Sequence, residues 1–340
     1  MTGFRERFHP ARSFFVLSIP FPMSFRLLIV PVLLALSACS GSLNVEPDRS
    51  SATPHPAPEV PTFGPREDRG LVEYAEIREA SGLVAGRENE GVLWTHNDSG
   101  DEARLFALGT HGEHLGVVHL AGITAEDWED VAVGPGPEHG RAYLYVGDLG
   151  DNLRVRDVKY VYRVPEPRLP RTGAPIDTTL ADVETIMLRY PDGRLDAETL
   201  LVDPATGDLY VVTKRSTTVH VYRAPFPQST SAPVMMERVT NLALDPVPGA
   251  GDSAQGAVGG DISPSGLETL IKTYTKVYLW TRPAPGAPLF ARAPAAVPYT
   301  FEPQGEAVAW AADGSGYFTL SEERNGIPAR LYFYPRRSTP

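Results

Sequence analysis

One cysteine, Cys39, serves all 340 residues, so the chain cannot cross-link itself through a disulfide and carries no redox thiol pair. Long runs with apolar residues at helical spacing are absent. So are a histidine-rich zinc motif and a glycine-rich phosphate loop leading into a helix. The segment "GDSAQG" (Gly251 to Gly256) superficially resembles a nucleophilic serine turn, but it lacks the Gly-x-Ser-x-Gly spacing and the strand-turn-helix setting, and reads as a flexible loop. Basic residues are also scarce: 31 Lys and Arg face 42 Asp and Glu, for a net charge of −11. Such a surface repels phosphate backbones and anionic membranes, which argues against nucleic acid as a partner. What is plentiful is proline (33) and glycine (31), which point to many turns and short strands. An apolar content of 42% suffices for a substantial core.

The lone cysteine fits a processing signal. Met23-Ser24-Phe25-Arg26 gives a short basic start, Leu27 to Ala38 is largely apolar but too short to span a bilayer, and Leu36-Ser37-Ala38-Cys39 resembles a bacterial lipobox. Residues 1–38 are therefore expected to be a signal peptide, with Met23 the better start, and Cys39 to carry lipid. Removing residues 1–38 takes away four Arg (Arg5, Arg7, Arg12, Arg26) and Glu6, leaving 27 basic against 41 acidic side chains and a net charge of −14. Residues 39–69, rich in Pro, Ser and charge, read as an extended tether. The expected location is the bacterial cell envelope, with the lipid as membrane anchor and the chain, a monomer, facing the periplasm or the exterior.

The rest of the chain repeats. "RLFAL", "KYVYRVPEP", "VHVYRAPFP", "VYLWTRPAP" and "RLYFYPR" place Phe106, Tyr162, Tyr222, Trp280 and Tyr334 at intervals of 56, 60, 58 and 54. Each is preceded by a second strand ("GVLWTH", "AYLYVGD", "DLYVVTK", "ETLIKTY", "GYFTLSE") and, before that, a first ("SGLVAG", "EDVAVG", "ETLLVD", "GGDISP", "GEAVAW"). A less regular fourth strand follows, as at Glu184 to Tyr190. Four-stranded antiparallel sheets at this spacing predict an all-β, five-bladed β-propeller over residues 70–336, with a short tail at 337–340. Six blades is the alternative if Arg168 to Leu195 hides more strands; a β-sandwich does not explain the period. The last unit lacks a fourth strand, and the unpartnered "LVEYAEI" (Leu71 to Ile77) is expected to supply it and close the ring.

In such a ring the loop entering each first strand and the loop joining strands two and three open on one rim. The joining loops carry Asp98, Asp101, Asp148, Asp151 and Glu322; the entering loops carry Asp127, Glu129, Asp130, Asp196, Glu198 and Glu306. The Asp-x-Gly-Asp device occurs twice, at Asp98 to Asp101 and Asp148 to Asp151. Carboxylates held close together repel, and a hard cation with six to eight oxygen ligands, Ca²⁺, suits them; Asp98, Asp101, Asp130, Asp148 and Asp151 are the candidate ligands. The bland alternative is that these acids cap turns and solvate a rim. Lys214, Arg215 and Arg324 are candidates to bind an anionic ligand, or else rim ion pairs. His96 could join them as an acid or base, or merely order its loop. Glu129, Glu198 and Glu306 are candidate proton acceptors.

At "WTHNDSGD", "DWEDVAVGP" and "YVGDLGDN" the chain resembles a group of uncharacterised bacterial secreted or lipoprotein β-propellers and, more distantly, phytase-like and WD40-like propellers, over about Leu71 to Tyr334. The resemblance implies the fold and no established activity. Three functions follow as expectations: a lipid-anchored propeller binding Ca²⁺ and a small ligand or protein partner at its rim, a Ca²⁺-dependent hydrolase of phosphate or other esters, or a structural scaffold.

Overall fold

The computed structural model describes residues 60–324 and 326–337. The expected signal peptide, Cys39, most of the tether and residues 338–340 lie outside them. Strand β1 (Glu67–Leu71) precedes the first sheet, which contains β2 (Ala80–Ala85), β3 (Val92–Asn97), β4 (Arg104–Gly109) and β5 (His114–Leu120). The second sheet begins with β6 (Trp128–Pro135), β7 (Ala142–Asp148) and β8 (Lys159–Pro165). After β9 (Ile176–Leu180), it continues with β10 (Glu184–Arg189). The third contains β11 (Ala197–Val202), β12 (Leu209–Thr213) and β13 (Thr218–Ala224). The two-residue β14 (Val234–Met235) intervenes before its last strand, β15 (Glu237–Ala243). The fourth is β16 (Gly259–Ile262), β17 (Glu268–Lys272), β18 (Val277–Thr281) and β19 (Ala295–Val297). The fifth is β20 (Gly305–Trp310), β21 (Gly316–Ser321), β22 (Arg330–Pro335) and, outermost, β1.

Innermost strands β2, β6, β11, β16 and β20 each pack against the next, and β20 returns to β2. The chain is a five-bladed β-propeller. Arg168 to Leu195 does contain additional strands, but they build no sixth blade. Strand β10 is the fourth strand of blade two, and β9 runs parallel to β5 as a fifth strand on blade one; β14 likewise lies parallel to β10. These additions cover edges that would otherwise present unpaired backbone groups.

Ring closure comes from the N-terminal side, as expected, but through an earlier segment. Strand β1 pairs antiparallel with β22, Glu67 opposite Phe333 and Leu71 opposite Arg330, with a bulge between Asp68 and Gly70. Phe63 already bridges to Arg336, so the sheet reaches into the stretch read as tether. Beyond Leu71 the chain leaves the sheet: Val72, Tyr74 and Ile77 turn inward and pack on the apolar layer between blades five and one. Three apolar side chains at a blade seam bury more surface there than as an exposed edge strand.

Five apolar layers, one per blade interface, form the core, and all five innermost strands are buried on both faces. Near the axis space is tight, which explains small residues there. A Cβ on Gly82 would stand 2.5 Å from the Val131 amide nitrogen, and one on Gly259 would stand 2.6 Å from the Glu306 carbonyl oxygen. Side chains also tie neighbouring inner strands together. Asp130 accepts the Leu200 N–H at 3.0 Å, Asp261 accepts the Trp310 N–H at 2.8 Å, and Ser81 Oγ donates to the Glu129 carbonyl at 2.6 Å.

At the end away from the entering loops, two buried acids are fully engaged by hydrogen bonds or an ion pair. Glu166 accepts N–H bonds from Arg87, Glu88, the Asn89 side chain and the Trp94 indole, clasping blade two to blade one. Arg282 forms a buried two-pronged pair with Asp203, at 2.6 and 2.7 Å, between blades four and three.

Candidate functional site: an acidic mouth

The other end differs. Asp98 from the β3–β4 loop, Glu129 at the start of β6, Glu198 at the start of β11, Glu306 at the start of β20 and Glu322 from the β21–β22 loop line one cavity of about 450 Å³. Four blades contribute. The antiparallel order within each blade puts all these positions at the same end of the ring. Asp127 stands beside them: one carboxylate oxygen each from Asp98, Asp127 and Glu129 lie within 4.8 Å of one another, and the same holds for Asp98, Glu306 and Glu322. Asp98 belongs to both groups.

Two of the three candidate basic residues at the mouth are already paired with carboxylates. Lys214 pairs with Glu198 and donates to the Tyr274 hydroxyl at 3.3 Å; Tyr274 in turn donates to Glu306. Burial works against the Lys214 ammonium, but the charges of Glu198 and Glu306 outweigh it and hold its pKa above the usual lysine range. Arg215 pairs with Asp196. Arg324 lines the cavity beside Glu322 and exerts a smaller compensating pull on it.

The acids that exceed this supply of cations resist ionisation. Burial, then the neighbouring Glu306, pushes Asp98 up to about 7. Burial, with Glu306 and Asp98 close by, pushes Glu322 up to about 8. Burial and the Glu198 and Asp98 charges raise Glu129 well above its ordinary value, and burial and Asp196 raise Asp127. Glu198 is buried, and its Oε2 has no hydrogen-bond partner.

The residues singled out from sequence divide sharply. Asp98 and the candidate proton acceptors Glu129, Glu198 and Glu306 meet in the mouth, with Lys214, Arg215 and Arg324. The other expected Ca²⁺ ligands lie outside both carboxylate groups. Asp101 accepts from Asn97 Nδ2 at 2.8 Å and from Arg104 Nη2 at 2.8 Å. Asp148 accepts from Arg156 at 2.7 Å, and Asp151 from Lys159 Nζ at 2.9 Å and the amides of Val155 and Arg156. Asp130 is spent on the inner-strand amides. His96 is fully buried with its ring edge-on to Trp128 at 5.8 Å; Nδ1 lies 2.8 Å from the Asn97 carbonyl, and burial lowers the pKa to about 4. It neither lines the cavity nor carries charge at neutral pH.

Sequence reading assigned no role to Tyr274. Its signal is positional: blade four places no acid in its strand-two-to-three loop, and Tyr274 occupies that place and links Lys214 to Glu306. The "GDSAQG" segment is a loop with one 3₁₀ turn, Asp252–Ala254. Gln255 pins it through bonds to Val247 and Ala250, and Ser253 and Ala254 form part of the cavity wall.

No family model matches the chain, and no curated protein sequence matches it. Among solved structures it is similar to one titled "Structure of U3-55K", at 8% identity and a TM-score of 0.39 over 81% of this chain and 100% of that one, an agreement too loose to carry any inference about function.

Proposed function

We propose that the acidic mouth is a Ca²⁺-dependent binding site on a lipid-anchored propeller of the bacterial envelope. The observation that carries this reading is the gathering of Asp98, Asp127, Glu129, Glu198, Glu306 and Glu322, six acids faced by fewer bases: Lys214, Arg324 and, beside Glu306, Lys272. Acids in a partly buried cavity either stay protonated, against their ordinary pKa, or are neutralised by a cation. Oxygen-only donors, several of them carboxylates, suit Ca²⁺ better than a softer metal. The donor set fits: Glu198 Oε2 is a buried oxygen lacking a partner.

The loops around the mouth also display large apolar side chains to solvent: Leu153 and Val155 between β7 and β8, Phe301 before β20, and Ile327 between β21 and β22. They supply surface that a small ligand or protein partner would bury on docking over the cation. The hydrolase alternative is less well supported. Lys214 and Arg215 already face carboxylates, so of the three candidates Arg324 alone would remain to hold an anionic ester.

Thermal unfolding in Ca²⁺ and in chelator tests the reading. Ca²⁺ at about a hundred times its Kd is expected to stabilise the protein by about 2.7 kcal/mol, read as a rise of several degrees in Tm that chelator reverses. An unchanged Tm overturns it. Chelator-sensitive turnover of a generic phosphate ester would instead favour the hydrolase. The anchor is tested by Cys39→Ser, which should move the protein from membrane to soluble fractions; continued membrane attachment would exclude lipid on Cys39 as the sole tie.

A further inference from the structure

The geometry points to two divalent cations in the mouth, bridged by the Asp98 carboxylate: one held with Asp127 and Glu129, the other with Glu306 and Glu322. This rests on the cation reading above and adds a number, a division of ligands and a role for one residue.

Three observations carry it. First, the two oxygen groups are separate apart from Asp98. Each spans no more than 4.8 Å, about the reach across one ion whose ligands stand at about 2.3 to 2.6 Å. Second, the mouth holds more acids than bases. The other rim acids have their own bases, Asp148 with Arg156, Asp151 with Lys159 and Asp196 with Arg215. The six mouth carboxylates have Lys214, Arg324 and, acting on Glu306, Lys272, so the acids outnumber the bases that face them. Third, the backbone lies tightly against the first group, and a buried oxygen of Glu198, a residue of the same cavity wall, lacks a hydrogen-bond partner. A Cβ on Gly150 would stand 2.2 Å from Glu129 Oε1 and 2.3 Å from Asp127 Oδ2, so only glycine lets the β7–β8 loop lie against this pair. Glu198 lines the same cavity and is almost wholly buried, yet its Oε2 has no partner.

The test is Ca²⁺ stoichiometry of the metal-stripped full chain, by titration calorimetry and native mass spectrometry with Ca²⁺ alone as the probe. Wild type should take two ions. Asp127→Asn should take one, Glu322→Gln should take one, and Asp98→Asn should weaken both by at least about tenfold. Gly150→Ala should match Asp127→Asn, and circular dichroism checks that each variant is folded. One ion in wild type, lost on either Asp127→Asn or Glu322→Gln, would overturn the pair and leave the cation reading standing. Two ions with only one weakened by Asp98→Asn would overturn the bridge. No ion at millimolar Ca²⁺ would overturn the underlying reading itself.

Discussion

Asp98-Ser99-Gly100-Asp101 and Asp148-Leu149-Gly150-Asp151 are nearly the same word written in two consecutive blades, at the same loop between second and third strands. Their fates differ. In blade two both acids are answered within the loop, by Arg156 and Lys159 and by two backbone amides. In blade one Arg104 answers Asp101 and the more distant Glu76, and Asp98 turns into the mouth without an ion pair. Even the glycines do different work. Gly100 has φ +91° with open space where a side chain would be, whereas Gly150 is hemmed in by Asp127 and Glu129. The bases that follow an acid decide whether it becomes scaffold or remains available.

The largest expected effect breaks the closed loop. Lys159→Met leaves Asp151 buried without its cation and should cost about 3 to 5 kcal/mol in urea unfolding while leaving the calcium response intact. A loss of under 1 kcal/mol would show that the two backbone amides alone suffice for Asp151.

A smaller effect should separate the loops by pH. In the unfolded chain Asp and Glu ionise near about 4. Folded Asp98 and Glu322 are pushed up to about 7 and about 8, so between those limits the folded protein holds protons that the unfolded chain has released. Their contribution to stability is full below about 4 and is lost as pH rises through the folded values. Asp101 and Asp151 have the opposite sign: burial opposes them, but bonds from Arg104 and Asn97, and from Lys159 and the Val155 and Arg156 amides, hold both pKa values down. Their contribution is present at neutral pH and lost on acidification. In chelator, the Tm of wild type should therefore fall between pH 5 and pH 8, and Asp98→Asn should flatten that slope. A Tm that climbs over this range would contradict the account of the mouth.

The smallest contrast lies in the glycines. Gly100→Ala forces a side chain into left-handed backbone and should cost about 1 kcal/mol with calcium stabilisation unchanged. A loss of the calcium response in Gly100→Ala would mean that the β3–β4 loop, and not only Asp98, shapes the mouth.

Most of the fold was legible because the repeat is written in strand-length apolar runs and an aromatic near every third strand; all five innermost strands fall where the period puts them. Closure was legible as a need, a last unit short of one strand, but not as an address. Glu67–Leu71 is polar enough to read as tether, and only its backbone pairing with β22 makes it a strand. At the site, the convergence of Asp98, Glu129, Glu198 and Glu306 follows from topology alone. What topology does not tell is whether an acid is already partnered, since that depends on side chains such as Arg156, Lys159 and Arg104 bending back across a few ångströms. From the pattern of acids alone, Asp101, Asp130, Asp148 and Asp151 read as ligands beside Asp98, and Asp127 and Glu322 as rim acids without a role.

The clasp of β1 on β22 has a temporal consequence. Asp68 meets Arg330 across 262 positions of chain, so the annulus cannot be sealed until all five petals have been synthesised. The mouth shares that seam, since Asp98 comes from the first petal and Glu306 and Glu322 from the last. An ion seated among those three would act as a rivet across the join, present only in molecules that have finished folding.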